Sequence, residues 1–321
     1  MRYSLLSRFR GCLIGAVLGG IYGDQSELAV WGKMAVLGAE SLIELGRFDL
    51  DNWRQRFYSE FPNLNEVNTA PGVLEKPSFN SFSQERLDAM NYSTQGALIV
   101  TLPLALFYHE NEITLRQHLL SLLKIWRDEP VVRDGVLAIG YAIAQSLQEK
   151  LNPSTLIPKT ITFLGESPSQ LAQELAQVQI LLEQGSGLER AVEMHRQTQP
   201  SSSIALTFYC FLSTLEDWRL STLRAAQTGE QTQIMTAITG ALSGAYNSTS
   251  GIPAPLRMVL SRPTEPLTAW GMTTAAQMLE LADNLLAIWS GAYDQAQQLN
   301  TLTPVAAIAA PLMRLRRRSE E

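Results

Sequence analysis

Residues 229–246 read Gly-Glu-Gln-Thr-Gln-Ile-Met-Thr-Ala-Ile-Thr-Gly-Ala-Leu-Ser-Gly-Ala-Tyr, a polar opening followed by small and apolar residues. Gln231 and Gln233 could each offer a carbonyl oxygen to a cation. A pair of Mg²⁺ ions needs more than that, because its four positive charges are held by several oxygen ligands, mostly carboxylates. Neutral amides leave such ions in their hydration shells. Glu230 does carry a charge, but on a helix it is turned about 100° from Gln231. No dinuclear metal site is therefore expected from Glu230, Gln231, Thr232 and Gln233.

Other residues with reactive side chains form no better constellation. Asp24 and Glu27 could be imagined as an acid and base on a glycosidic bond. Three residues apart beyond a helix end, they read as solvated carboxylates. His109, His118 and His195 lie far apart without metal-ligand spacing and read as polar or boundary residues. No G-x-S-x-G elbow occurs, and Ser201–Ser203 read as the N-cap of a helix through Phe211.

Several segments, in order, resemble the ADP-ribosylglycohydrolase family, of the dinitrogenase reductase-activating glycohydrolase type. RGCLIGAVLGGIYGDQSE (10–27) is similar to the family's opening helix. MAVLGAESLIELGRFDLDNWRQRF (34–57) resembles the helix and turn after its T-D-D-T metal motif, and QGALIVTLPLALFYHENEITL (95–115) its central G-A-x-M-R-x-x-P helix. SSSIALTFYCFLSTLEDWRLSTLRAAQTG (201–229) resembles the helices before the C-terminal signature. Residues 229–246 resemble that signature, and Gly251-Ile252-Pro253 the turn that closes it.

This resemblance implies an all-α fold, a compact multi-helix bundle, and in the family a dinuclear magnesium site that cleaves ADP-ribosyl bonds. The chain departs at each chemical position. The signature's two metal-binding aspartates fall on Gln231 and Gln233. Ala29-Val30-Trp31-Gly32 stands where T-D-D-T is expected, and the loop from Glu27 to Met34 is short. The first-helix aspartate falls on Gly20, the Met-Arg pair on Ile99 and Val100, and the Thr-His pair on Trp126 and Arg127. Glu27 alone matches a family functional position, an acidic residue near the scissile bond.

Glu27, Trp31, Glu230, Gln231, Thr232 and Gln233 thus outline a relict cleft, with no magnesium or other cofactor expected. The function implied is a catalytically inactive binding or regulatory subunit whose partner is another protein. Useful ADP-ribose affinity is not expected. The alternative is an ADP-ribosyl hydrolase with a rearranged or metal-independent site around Glu27. A third reading is a structural protein whose cleft is filled by Trp31.

Helices must position these residues. Apolar residues recur at three and four in Leu115, Leu119, Leu122 and Leu123, and again in Val136, Ile139 and Ile143 with Gly140. Gly15, Ala16 and Gly19, with Gly240, Ala241, Gly244 and Ala245, predict two helices in close approach. Gln231 and Gln233 then start a helix packed on residues 10–23. Ser167-Pro168 reads as a helix start, with Gly185 or Gly187 at its end. One domain is expected over 1–310, with an irregular insertion at about 62–90 and a basic tail at 311–321.

Composition excludes several classes. Of 321 residues, 45% are hydrophobic and 17% charged, enough apolar material for one large core and a thinly charged surface that invites partners. A net charge of −6 argues against nucleic acid, since the one basic run, Arg314 to Arg318, ends against Glu320 and Glu321. Cys12 and Cys210 suggest neither a disulfide framework nor a zinc site. With only these two cysteines a reducing compartment, the cytoplasm, is expected, and no Ala-x-Ala cleavage site follows the apolar N-terminal run. The uncharged stretch 231–256 is too polar to span a bilayer.

Overall fold

The computed structural model describes residues 3–21, 25–60, 94–125, 129–195, 200–229, 232–260 and 265–292. Among these residues every regular element is a helix, as the sequence predicts. The insertion at 62–90 and the tail at 311–321 lie outside the described residues.

Helix α1 (Leu5–Gly19) begins at Ser4, whose hydroxyl accepts the Ser7 N–H at 3.2 Å. Next come α2 (Gln25–Leu45) and α3 (Leu50–Glu60). After residue 93 follow α4 (Thr94–Val100), α5 (Leu102–Phe107), α6 (Glu112–Leu122), α7 (Pro130–Leu147) and α8 (Pro153–Leu164). Four further helices are α9 (Leu171–Glu183), α10 (Leu188–Met194), α11 (Pro200–Leu212) and α12 (Trp218–Ala226). The last are α13 (Thr232–Gly251), α14 (Ala254–Val259), α15 (Glu265–Ala269) and α16 (Ala275–Trp289).

The centre is the antiparallel pair α1 and α13, in near backbone contact along its length. A Cβ on Gly11, Gly15 or Gly19 would run into the carbonyl oxygens of Gly244, Gly240 and Thr236 respectively. Reciprocally, a Cβ on Gly240 or Gly244 would strike Gly15 and Gly11. The packing reading of these small residues therefore holds, and Gly11 extends the contact by one turn beyond the glycines read from sequence. Trp218 closes its flank, donating its indole N–H to the Gly240 carbonyl at 2.9 Å.

Around this pair the apolar faces of α6 and α7 lie where their spacing predicts. Leu115, Leu119, Leu122 and Leu123 are buried, as are Val136, Ile139, Gly140 and Ile143. Arg8 ties the start of α1 to the end of α7: buried, it donates to the Ser146 carbonyl at 2.6 Å and pairs with Glu149 at 2.7 Å. None of the described helices is long and apolar enough to cross a membrane.

Several local readings are corrected. The short loop from Glu27 to Met34 is absent: those residues lie inside α2, which runs unbroken from Gln25. The cause is one apolar stripe, Leu28, Trp31, Ala35, Ala39 and Leu42, all buried and spaced at three and four. Glu27 consequently sits within a helix rather than beyond a helix end. Helix α9 starts at Leu171, not at Pro168, because the Ser169 hydroxyl is bonded to buried Asp134 while accepting the Leu171 N–H at 3.3 Å. At its other end Gly185 adopts φ 62°, with Ser186 N–H reaching the Leu181 carbonyl, as a Schellman ending requires.

Ser201–Ser203 lie in the first turn of α11 rather than at its N-cap. Ser202 donates to Glu174 at 2.7 Å instead. His109 and His195 are buried, not at the boundary. Each is satisfied at Nδ1 by a carbonyl one turn back, Leu106 at 2.7 Å and Ala191 at 2.8 Å.

Candidate functional site

The cleft outlined from sequence corresponds to the end of α1, the start of α13, and the facing parts of α2 and α4. Gly20 caps α1, its N–H bonded to the Ala16 carbonyl at 3.0 Å, and its own carbonyl faces the first turn of α13. There Gln233, 7% exposed, donates its side-chain amide to that carbonyl at 3.1 Å. The amide therefore fastens α13 to α1, as the expected packing of this helix on residues 10–23 requires. Glu230 and Gln231 lie outside the described residues, as does the side chain of Thr232.

This bond tests whether the position suits a dinuclear magnesium site. A carboxylate at 233 would offer only acceptors to the Gly20 carbonyl, itself an acceptor, whereas an amide supplies the donor. Gln233 is thus fitted to a helix junction, and with its neutral charge it does not fit the magnesium pair that the family resemblance implies. Among the described residues no group of three or more His, Cys, Asp or Glu stands close enough to hold a metal ion.

Trp31 occupies the other wall. It is buried, and its indole lies directly on Gly96 of α4, where any Cβ would enter the ring. Helix α4 also packs against α13, so the indole fills space next to the central helices. Ile99 and Val100 on the same helix are buried apolar residues. The side chain of Glu27 is outside the described residues, as are Trp126 and Arg127. Of the six outlined residues, the described structure gives side-chain surroundings for Trp31 and Gln233, and both are packed rather than open to a cleft.

Two grooves lie elsewhere, and sequence reasoning found neither. One, of about 810 Å³, runs between α2, α3 and α16 past Glu40, Glu44, Arg56, Glu280 and Asn284. Burial pushes the Glu40 carboxyl up, and Glu60 adds to it, while Arg56 and Lys33 oppose the shift. The other, of about 570 Å³, lies between α6, α7 and α8 and is lined by Glu112, Arg116, Tyr141, Gln145, Lys150 and Lys159 among others. Each draws on side chains from three separate helices, so spacing along any one of them gave no signal.

The remaining reactive groups are held in packing roles. His109 stands between the Phe9 ring at 5.6 Å and the Trp289 ring at 4.8 Å, and burial lowers its pKa. His118 stacks on Tyr108 at 4.0 Å. Cys12 and Cys210 are free, buried thiols, and burial pushes both up, Cys210 to about 12. Neither is a thiolate nucleophile at neutral pH.

No curated protein matches the chain. The family model for ADP-ribosylglycohydrolase matches residues 1–295, which takes in every described helix and both halves of the outlined cleft. The chain belongs to the ADP-ribosylglycohydrolase family.

Proposed function

We propose that this family member is a non-catalytic binding or regulatory subunit, which keeps the helical frame and has given up the hydrolytic centre. The observation that supports it most is the hydrogen bond from the Gln233 amide to the Gly20 carbonyl. At the position to which the resemblance assigns a metal-binding aspartate, the side chain donates to a neighbouring helix. Metal-assisted hydrolysis needs a cation to polarise the bond and to activate water. Gln233 supplies neither the charge nor a free oxygen pair for one.

The buried indole of Trp31 supports the same reading, since apolar packing stands where the resemblance places a polar rim. A protein partner is favoured by the exposed apolar residues Met258 and Val259 on α14, a helix that buries none of its own side chains. We assign the protein to the cytoplasm, where two unpaired thiols such as Cys12 and Cys210 are at home.

Calorimetry with ADP-ribose, together with turnover assays on ADP-ribosylated arginine and serine peptides in millimolar Mg²⁺, tests the proposal. Neither binding nor turnover is expected. Micromolar binding, or turnover that disappears in Glu27→Gln, would overturn it in favour of a hydrolase with a rearranged site.

A further inference from the structure

The pocket between α6, α7 and α8, about 570 Å³, has the volume of a small-molecule site and shares no residue with the outlined cleft. Its base is aromatic. Tyr141 of α7 and Phe163 of α8 stack with ring centroids 4.6 Å apart and planes at 27°. Tyr141 is 4% exposed and lines the pocket, yet its hydroxyl makes no hydrogen bond to another described residue. Burial, with Glu112 adding, pushes this phenol up to about 12, so it stays protonated and able to donate.

Charge in the pocket is divided between groups already committed and groups left over. Arg116 donates to the carbonyls of Phe163 at 3.2 Å and Leu164 at 3.0 Å and lies over the Phe163 ring, so it braces the base. Glu112, the one carboxylate, accepts from the Gln145 amide at 3.0 Å. Lys150 and Lys159 on the rim are exposed and have no ion-pair partner among the described residues. A chain of net charge −6 thus places three cations and one anion around a single aromatic recess.

We propose that this pocket binds an organic oxyanion with a flat apolar body, a carboxylate or a phosphate ester. The body lies against the half-buried Phe163 ring, which buried Tyr141 backs, and exposed Ile113 extends the apolar lip. The charged oxygens meet the ammonium groups of Lys150 and Lys159 and the Tyr141 hydroxyl, as charge-assisted hydrogen bonds that a neutral ligand cannot make.

Calorimetry on the full chain with phenyl phosphate, benzoate and inorganic phosphate tests it. One aromatic anion should bind saturably at one site and more tightly than inorganic phosphate. Which of the two binds better identifies the phosphate or the carboxylate form. Affinity should fall about tenfold in Lys150→Ala/Lys159→Ala, and severalfold in Tyr141→Phe, which keeps the ring stack. The melting temperature of each variant reports that it is folded. Failure of both aromatic probes to bind would overturn the proposal, as would inorganic phosphate binding as tightly, or unchanged affinity in either variant.

Discussion

The indole of Trp31 rests on the Cα of Gly96, with no room for a side chain between α2 and α4. The indole fits only because residue 96 carries no side chain. Trp31→Ala should leave a cavity the size of an indole and cost about 3–5 kcal/mol, the range for large aromatics removed from a core. Gly96→Leu should destabilise as well, by forcing the indole out. Urea denaturation of the three proteins measures both changes. If Trp31→Ala were as stable as the parent, the indole would not be filling the space.

Close approach of α1 and α13 makes a second prediction with its own control. A methyl group on Gly240 would press on the Gly15 backbone, which cannot yield without moving the whole helix. Gly240→Ala should therefore destabilise by about 1–3 kcal/mol or more, the usual cost of overpacking, although alanine favours helix by about 1 kcal/mol elsewhere. At Gly187 an added Cβ meets nothing within 4 Å and φ is −74°. Gly187 caps α10, where alanine is less favoured than glycine, so Gly187→Ala should cost no more than about 1 kcal/mol. Equal effects at the two glycines, measured by chemical denaturation, would count against the helix contact.

These glycines also mark how far the sequence could be read. The faces of α1 and α13 were legible because small residues repeat every four positions, and the α6 and α7 cores because Leu and Ile repeat every three and four. Gly11 continues the same repeat one turn earlier, next to Arg10, which in the fold reaches outward to pair with Asp283. The resemblance places a loop at Glu27–Met34, where α2 runs instead. The buried stripe from Leu28 through Trp31 to Leu42 was already present at helical spacing. Ser167-Pro168 carries a helix-start signal that a tertiary contact, Ser169 with Asp134, overrides. Neither Tyr141 with Lys159 nor Trp31 with Gly96 could be paired from spacing, since each pair joins separate helices.

Gln233 offers a direct test of the helix junction. Gln233→Asp shortens the side chain, removes the donor to Gly20 and leaves a buried carboxylate facing a carbonyl. A loss of about 1–3 kcal/mol is expected from the unsatisfied group. Millimolar Mg²⁺ or Mn²⁺ should not restore the melting temperature, and should leave that of the parent unchanged. A ligand specific for the folded state at one hundred times its dissociation constant would add about 2.7 kcal/mol, so the assay is sensitive. A metal-dependent rise of several degrees in the parent, abolished in Gln231→Ala/Gln233→Ala, would show that these amides do hold cations.

His109 predicts a pH dependence whose sign follows from its surroundings. Burial between Phe9 and Trp289 lowers its pKa below the ordinary 6.5, while the Leu106 carbonyl and Glu110 partly oppose the shift. The unfolded chain therefore takes up the proton first as pH falls. Stability present above the unfolded value should decline from about pH 6.5 down to the lower folded value, and stay low beneath it. His118, lowered by its own burial against Tyr108, contributes in the same direction, and Glu40, raised, in the opposite one at lower pH. Removing the titrating ring isolates the first contribution. In His109→Phe, which preserves an aromatic between Phe9 and Trp289, the decline between about pH 7 and pH 5.5 should be shallower than in the parent. Denaturation midpoints across that interval decide it: parallel curves would mean that His109 takes up its proton equally in both states, and that the aromatic sandwich does not discriminate against the charged ring.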